Sequence, residues 1–155
     1  MILFPIRLAL GVSAAYFLQM ASFEDIKQDF AFLDAWDDRY KYLIDLGRNL
    51  EPYPEQVRDD AHKVRGCASQ VWFFAEHENG ALVFYGDSDA HIVKGLIAVL
   101  FALYSGKTPR EIVDIDPESA LAPLDLKDHL TPQRSNGLVS MVKRIRNIAA
   151  ADGAG

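Results

Sequence analysis

From Ala90 to about Tyr104 the chain is apolar nearly all round, and this run constrains the fold more than any other feature. Ile92, Val93, Leu96, Ile97, Val99, Leu100, Phe101 and Leu103 leave no polar face, so a helix here must be enclosed by other elements. Ser105-Gly106 stops it. A hairpin stands just before it. Val71 to His77 reads as one strand, Asn79-Gly80 as a tight turn with positive backbone angles, and Ala81 to Tyr85 as the return. Gly86-Asp87-Ser88-Asp89 is expected to break the sheet, with Ser88 or Asp89 capping the buried helix.

Helical signals lie on both sides of this centre. Ser22 caps a first helix that has acids in its opening turn and carries Phe23, Ile26, Phe30 and Leu33 at helical spacing. A second helix starts near Trp36, with Tyr40, Leu43, Ile44 and Leu50 on its apolar side, and Pro52 and Pro54 end it. Thr108-Pro109-Arg110-Glu111 is a capping box with proline at the first helical position. Asp116-Pro117 opens another short segment, and Leu121 to Leu130 is connecting structure. The stretch from Thr131 to Gly137 leads into a last helix carrying Leu138, Val139, Val142, Ile145 and Ile148. The order implies an α+β domain, a small antiparallel sheet packed with helices on one face. One domain is expected over 20–150, followed by a tail, 151–155, that frays.

Composition narrows the function. At 155 residues the chain can bury an adequate single core, and half of its residues are apolar. The formal charge is −6 with no long basic run, which argues against nucleic acid or an anionic membrane surface as partner. Residues 1–19 form an apolar extension interrupted by Pro5 and Arg7, unlike either a membrane span or a signal with its charge first. Translation starting at Met20 is the expectation, ahead of a cleaved export signal.

Cys67 is the one cysteine of the chain. A lone sulfur rules out an internal disulfide, a four-thiolate zinc site or an iron–sulfur cluster held by this chain alone. It also suits a reducing, cytoplasmic setting. Two readings remain: a small buried hydrophobe, or a nucleophile carried on a loop. The neighbours favour the second. Gly66 lets the backbone turn sharply, Lys63 and Arg65 would favour the thiolate, and Val71-Trp72-Phe73-Phe74 begins a strand just beyond.

The remaining chemistry-bearing residues are less specific. His62, His77, His91 and His129 show no paired metal spacing. His62 could serve Cys67 as a base, but nothing marks an orienting group or an oxyanion hole. Arg134 stands near a helix N-terminus, where the dipole disfavours a cation, so it is expected to reach a carboxylate or a partner. Trp36, Tyr40, Trp72, Phe73 and Phe74 read as core.

Three ordered motifs carry a resemblance. Gly66-Cys67-Ala68-Ser69-Gln70-Val71-Trp72, then Gly86-Asp87-Ser88-Asp89-Ala90-His91-Ile92-Val93-Lys94-Gly95-Leu96, then His129-Leu130-Thr131-Pro132-Gln133-Arg134-Ser135-Asn136-Gly137-Leu138 are similar to the SufE family. The resemblance spans Phe23 to about Ile148 and implies the α+β fold shared with IscU-like scaffolds. It implies a non-catalytic persulfide carrier that takes sulfur from a SufS-like cysteine desulfurase onto Cys67, stimulates that enzyme, and feeds a downstream iron–sulfur scaffold. The pyridoxal phosphate would belong to the desulfurase, and this chain, monomer or homodimer, would need no cofactor or metal. Asp89 and Arg134 fall at positions the resemblance links to loop control and partner contact. Gly66 is the expected hinge, with Ser69, Gln70 and apolar residues near Trp72 sheltering the sulfur. The alternatives are a related carrier feeding tRNA thiolation or molybdenum-cofactor synthesis, or a Cys–His hydrolase using His62.

Overall fold

Ser22 and Asp25 close a reciprocal capping box at the start of α1 (Phe23–Phe32): the Asp25 amide donates to Ser22 Oγ at 3.1 Å, and the Ser22 amide donates to the Asp25 carboxylate at 3.3 Å. Such a cap is worth about 1 kcal/mol, and it sets the phase that buries Ile26 and Phe30. The computed structural model describes residues 21–154, so the expectations for residues 1–19 lie outside the described residues.

The second helix, α2 (Trp36–Arg48), buries Leu43 and Gly47; Leu50, expected on its apolar side, lies just beyond its end. It crosses α3 (His91–Tyr104) with the two backbones in direct contact. A Cβ on Gly95 would come 2.2 Å from the Leu43 carbonyl oxygen, and one on Gly47 would come 2.7 Å from the Gly95 nitrogen. Only hydrogen side chains permit this approach, and through it α2 covers one flank of the all-apolar helix. The hairpin, α6 (Pro132–Ala154) and α1 cover the others. Leu96, Ile97, Val99, Leu100 and Tyr104 have no exposure at all, as the absence of a polar face required.

The sheet is one antiparallel hairpin, β1 (Val71–Glu78) with β2 (Ala81–Ser88), in register from Val71↔Ser88 to Glu78↔Ala81. Asn79 (φ 54°) and Gly80 (φ 84°) make the turn as expected. Single bridges, Lys63↔Trp72 and Leu82↔Lys107, extend the pairing at either edge. One face, with Val71, Phe73, Leu82 and Phe84, joins the main core under α3. The other, with Trp72, Phe74, Val83 and Tyr85, meets Tyr53 and Val57 in a smaller cluster.

Gly86-Asp87-Ser88 does not break the sheet. It continues β2, because Gly86 supplies room rather than a turn: a Cβ there would stand 2.7 Å from the Phe73 ring and 2.8 Å from Phe101. Nor does Ser88 or Asp89 cap α3. Ala90 holds the cap position without a side-chain bond, and Ser88 Oγ accepts the Ala90 amide at 3.2 Å.

Beyond α3, Thr108 and Glu111 form the expected capping box of α4 (Pro109–Asp114), and Asp116 caps α5 (Pro117–Leu121). Helix α6 is longer at both ends than its sequence suggested. It starts at Pro132, with Thr131 Oγ1 accepting the Arg134 amide at 3.3 Å, so the stretch to Gly137 lies inside the helix. It continues through Ala154, where a fraying tail was expected. The imidazole of His77 and the carboxylate of Asp152, 2.5 Å apart, tie that end to the hairpin.

Candidate functional site

The loop before β1 is closed at its base and bent at its tip. The Val64 amide donates to the Val71 carbonyl at 2.8 Å, bringing its two limbs together. Asp89 adds a two-point clamp: its carboxylate accepts the Gln70 amide at 3.1 Å, and its own amide donates to the Gln70 carbonyl at 3.3 Å. Inside this ring Gly66 takes φ +89°, a region where a side chain is strained. That turn directs Cys67 toward α6.

Cys67 is half-buried and packs against the main core. Its thiol donates to the Gly137 carbonyl oxygen at 3.7 Å, a long, weak contact. Burial pushes the thiol pKa up from its ordinary value. The thiolate-favouring effect expected from Lys63 and Arg65 is therefore not realised at this site: desolvation sets the direction of the shift. A carbonyl oxygen facing the sulfur works the same way, since it accepts from a thiol and repels a thiolate. As it stands, the site desolvates the sulfur and favours its neutral form.

Three residues of α6 hold the loop, at helical spacings that put them on one face. Gly137 faces Cys67, with room at 3.7 Å between an added Cβ and Sγ. Ser140 lies against Gly66, where an added Cβ would meet Ser140 Oγ at 2.4 Å. Arg144 donates from its two Nη atoms to the Lys63 and Ala61 carbonyls, both at 3.0 Å. The roles of Ser140 and Arg144 toward the loop were not read from the sequence. The spacing of two small residues and one arginine on an otherwise apolar helix face was the available signal.

Other expected site residues fall elsewhere. Side chains alternate along a strand, so Trp72 lies on the sheet face opposite the core that Cys67 joins, while its neighbours Val71 and Phe73 enter that core. Arg58 lies 4.8 Å above the Trp72 ring and pairs with Asp87 at 2.8 Å. Ser69 lies in the loop, partly exposed. Arg134, one turn before Gly137, is exposed and has no ion pair among the described residues. His62 is held by Asp59 at 2.6 Å and stands edge-on to Phe74 at 6.5 Å, and no histidine bonds Cys67 among the described residues. The Cys–His arrangement is not assembled.

Residues 24–149 match the family described as SufE: Fe-S metabolism associated domain. The chain belongs to the SufE family. Among relatives of this SufE-family chain, an uncharacterized SufE-like protein of Rhizobium meliloti (strain 1021) is 48% identical over 134 residues, covering 84% of this chain and 96% of the relative. Another from Rhizobium etli is 50% identical over 136 residues, 85% and 92% of the two chains. The fold is similar to that of a hypothetical protein from Thermus thermophilus solved in solution, at TM-score 0.70 and 20% identity, covering 86% of this chain and 96% of that one. Among the described residues no helix is long and apolar enough to cross a membrane.

Proposed function

We propose that this SufE-family protein is a sulfur acceptor and persulfide carrier for a cysteine desulfurase, acting in the cytoplasm and delivering sulfur for iron–sulfur cluster assembly. The observation that carries the reading is the posture of Cys67: a lone thiol on a closed-base loop, half-buried against the core, with a long, weak hydrogen bond to Gly137. The family's association with Fe-S metabolism supports the same class of work.

The chemistry is an exchange at sulfur. The Cys67 thiolate attacks the outer sulfur of the desulfurase persulfide, forming an S–S bond as the bond to the enzyme's own cysteine sulfur breaks. The desulfurase cysteine leaves as a thiolate, the proton lost by Cys67 passes to solvent or to that thiolate, and no oxidant or reductant is consumed. The pyridoxal phosphate stays with the desulfurase, so this chain acts as carrier and activator rather than as an enzyme. Because attack needs the thiolate and access to it, the docked loop is the storage state and an undocked loop is the reactive one. Asp89 at the base and exposed Arg134 beside the seat are the residues that would feel a docking partner.

Intact-mass measurement tests this directly. Incubated with a cysteine desulfurase and free cysteine, the protein should gain the mass of one sulfur atom, and Cys67→Ser should gain nothing. An unmodified wild-type protein beside a desulfurase that is turning over would end the carrier reading.

A further inference from the structure

We infer that Arg144 is a positioning residue for Cys67: by gripping two backbone carbonyls of the incoming limb, it sets the pose in which α6 receives the thiol. The inference rests on the carrier reading for the purpose of that pose, and on geometry alone for its existence.

The contacts along the α6 face are unequal. At Gly137 the loop is held by a 3.7 Å thiol contact, and at Ser140 by van der Waals packing against Gly66. At Arg144 two charge-assisted bonds of 3.0 Å reach Lys63 and Ala61, across more than eighty positions of sequence. Both carbonyls lie upstream of the Val64–Val71 closure. The grip is therefore on the fixed limb, and the sulfur-bearing tip is left to weak forces. Lys63 also carries the bridge to Trp72, so the limb is held between sheet edge and helix.

The side chain suits this task. A guanidinium has separate Nη donors in a rigid fork and can bond two carbonyls at once, which an ammonium on a flexible stem does with less geometric definition. Arg146 provides an internal comparison. It sits on the same helix and donates to a carbonyl at 2.6 Å, but that carbonyl belongs to Ile115, outside the Cys67 loop.

The test uses the full chain without any desulfurase, so it can fail independently of the carrier reading. The rate of Cys67 alkylation by iodoacetamide is measured in native buffer for wild type, Arg144→Ala, Arg144→Lys and Arg146→Ala, each with its thermal midpoint. Losing two bonds to the limb should speed alkylation roughly tenfold in Arg144→Ala. Arg144→Lys should recover part of the protection, and Arg146→Ala should react like wild type. A wild-type rate in folded Arg144→Ala would overturn the inference. So would an equal acceleration in Arg146→Ala, which would trace the effect to general loosening of α6. If Arg144→Ala does not fold, Arg144→Lys decides: partial acceleration supports the assignment, and an unchanged rate rejects it.

Discussion

The thiol of Cys67 points at the carbonyl oxygen of Gly137, 3.7 Å away and 70 positions further along the chain. The pairing joins the tip of a glycine-turned loop to the second turn of the last helix. It favours a neutral sulfur, and it is weak enough to be given up.

The titration of Cys67 should reflect this seat. Burial raises the thiol pKa in the docked loop, so the docked state binds its proton more tightly than the released state does. The contribution of this thiol to docking is then fully present below the free-thiol pKa and is lost as pH rises from there through the docked value. The alkylation rate plotted against pH should have its midpoint above that of the same protein in urea. Coincident midpoints would show that the sulfur is not desolvated.

Gly66 should tolerate no side chain. At φ +89° a non-glycine residue costs on the order of 1–3 kcal/mol, and its Cβ would collide with Ser140 Oγ at 2.4 Å. In Gly66→Val the loop should leave its seat, with faster alkylation of Cys67 than in wild type. Gly66→Ala combined with Ser140→Gly should regain only part of the protection, because removing the collision leaves the φ strain in place. Full protection in Gly66→Val would remove the seat from the account.

Asp89 should act as a hydrogen-bond acceptor rather than as a charge. Asp89→Ala removes the partner of the Gln70 amide, a loss of about 0.5–1.5 kcal/mol at the loop base. Hydrogen exchange at that amide should rise several-fold. Asp89→Asn keeps a carbonyl oxygen there and should stay near wild type. Equal effects of the two substitutions would point to the charge instead.

The crossing of α2 and α3 should be the most sensitive point of the core. Gly95→Ala drives a methyl to 2.2 Å from the Leu43 carbonyl, so the helices must separate, at about 1–3 kcal/mol or more. Chemical denaturation should show the loss. Gly80→Ala, where nothing lies within 4 Å of the added carbon, should leave the core packing alone and cost only its φ strain.

Much of this protein could be read before its folding was known, and the readable parts share a cause. The Ser22 cap, the capping box at Thr108, the Asn79-Gly80 turn and the enclosed α3 depend on residues a few positions apart, whose preferences act locally. The family motifs, with Cys67 among them, are likewise visible in the order of residues. Gly86 misled because a glycine that opens a turn and one that makes room for Phe73 and Phe101 look the same in one dimension. Of the residues near Trp72, Val71 and Phe73 share the core with Cys67 and Trp72 does not, because closeness in sequence does not say which sheet face a neighbour's core occupies. The state of the sulfur was decided by tertiary structure alone: Lys63 and Arg65 are near in sequence, but the approach of α6 buries the thiol, and desolvation sets its protonation. Gly137, Ser140 and Arg144 acquire their common task only once the chain has brought the last helix back to the loop.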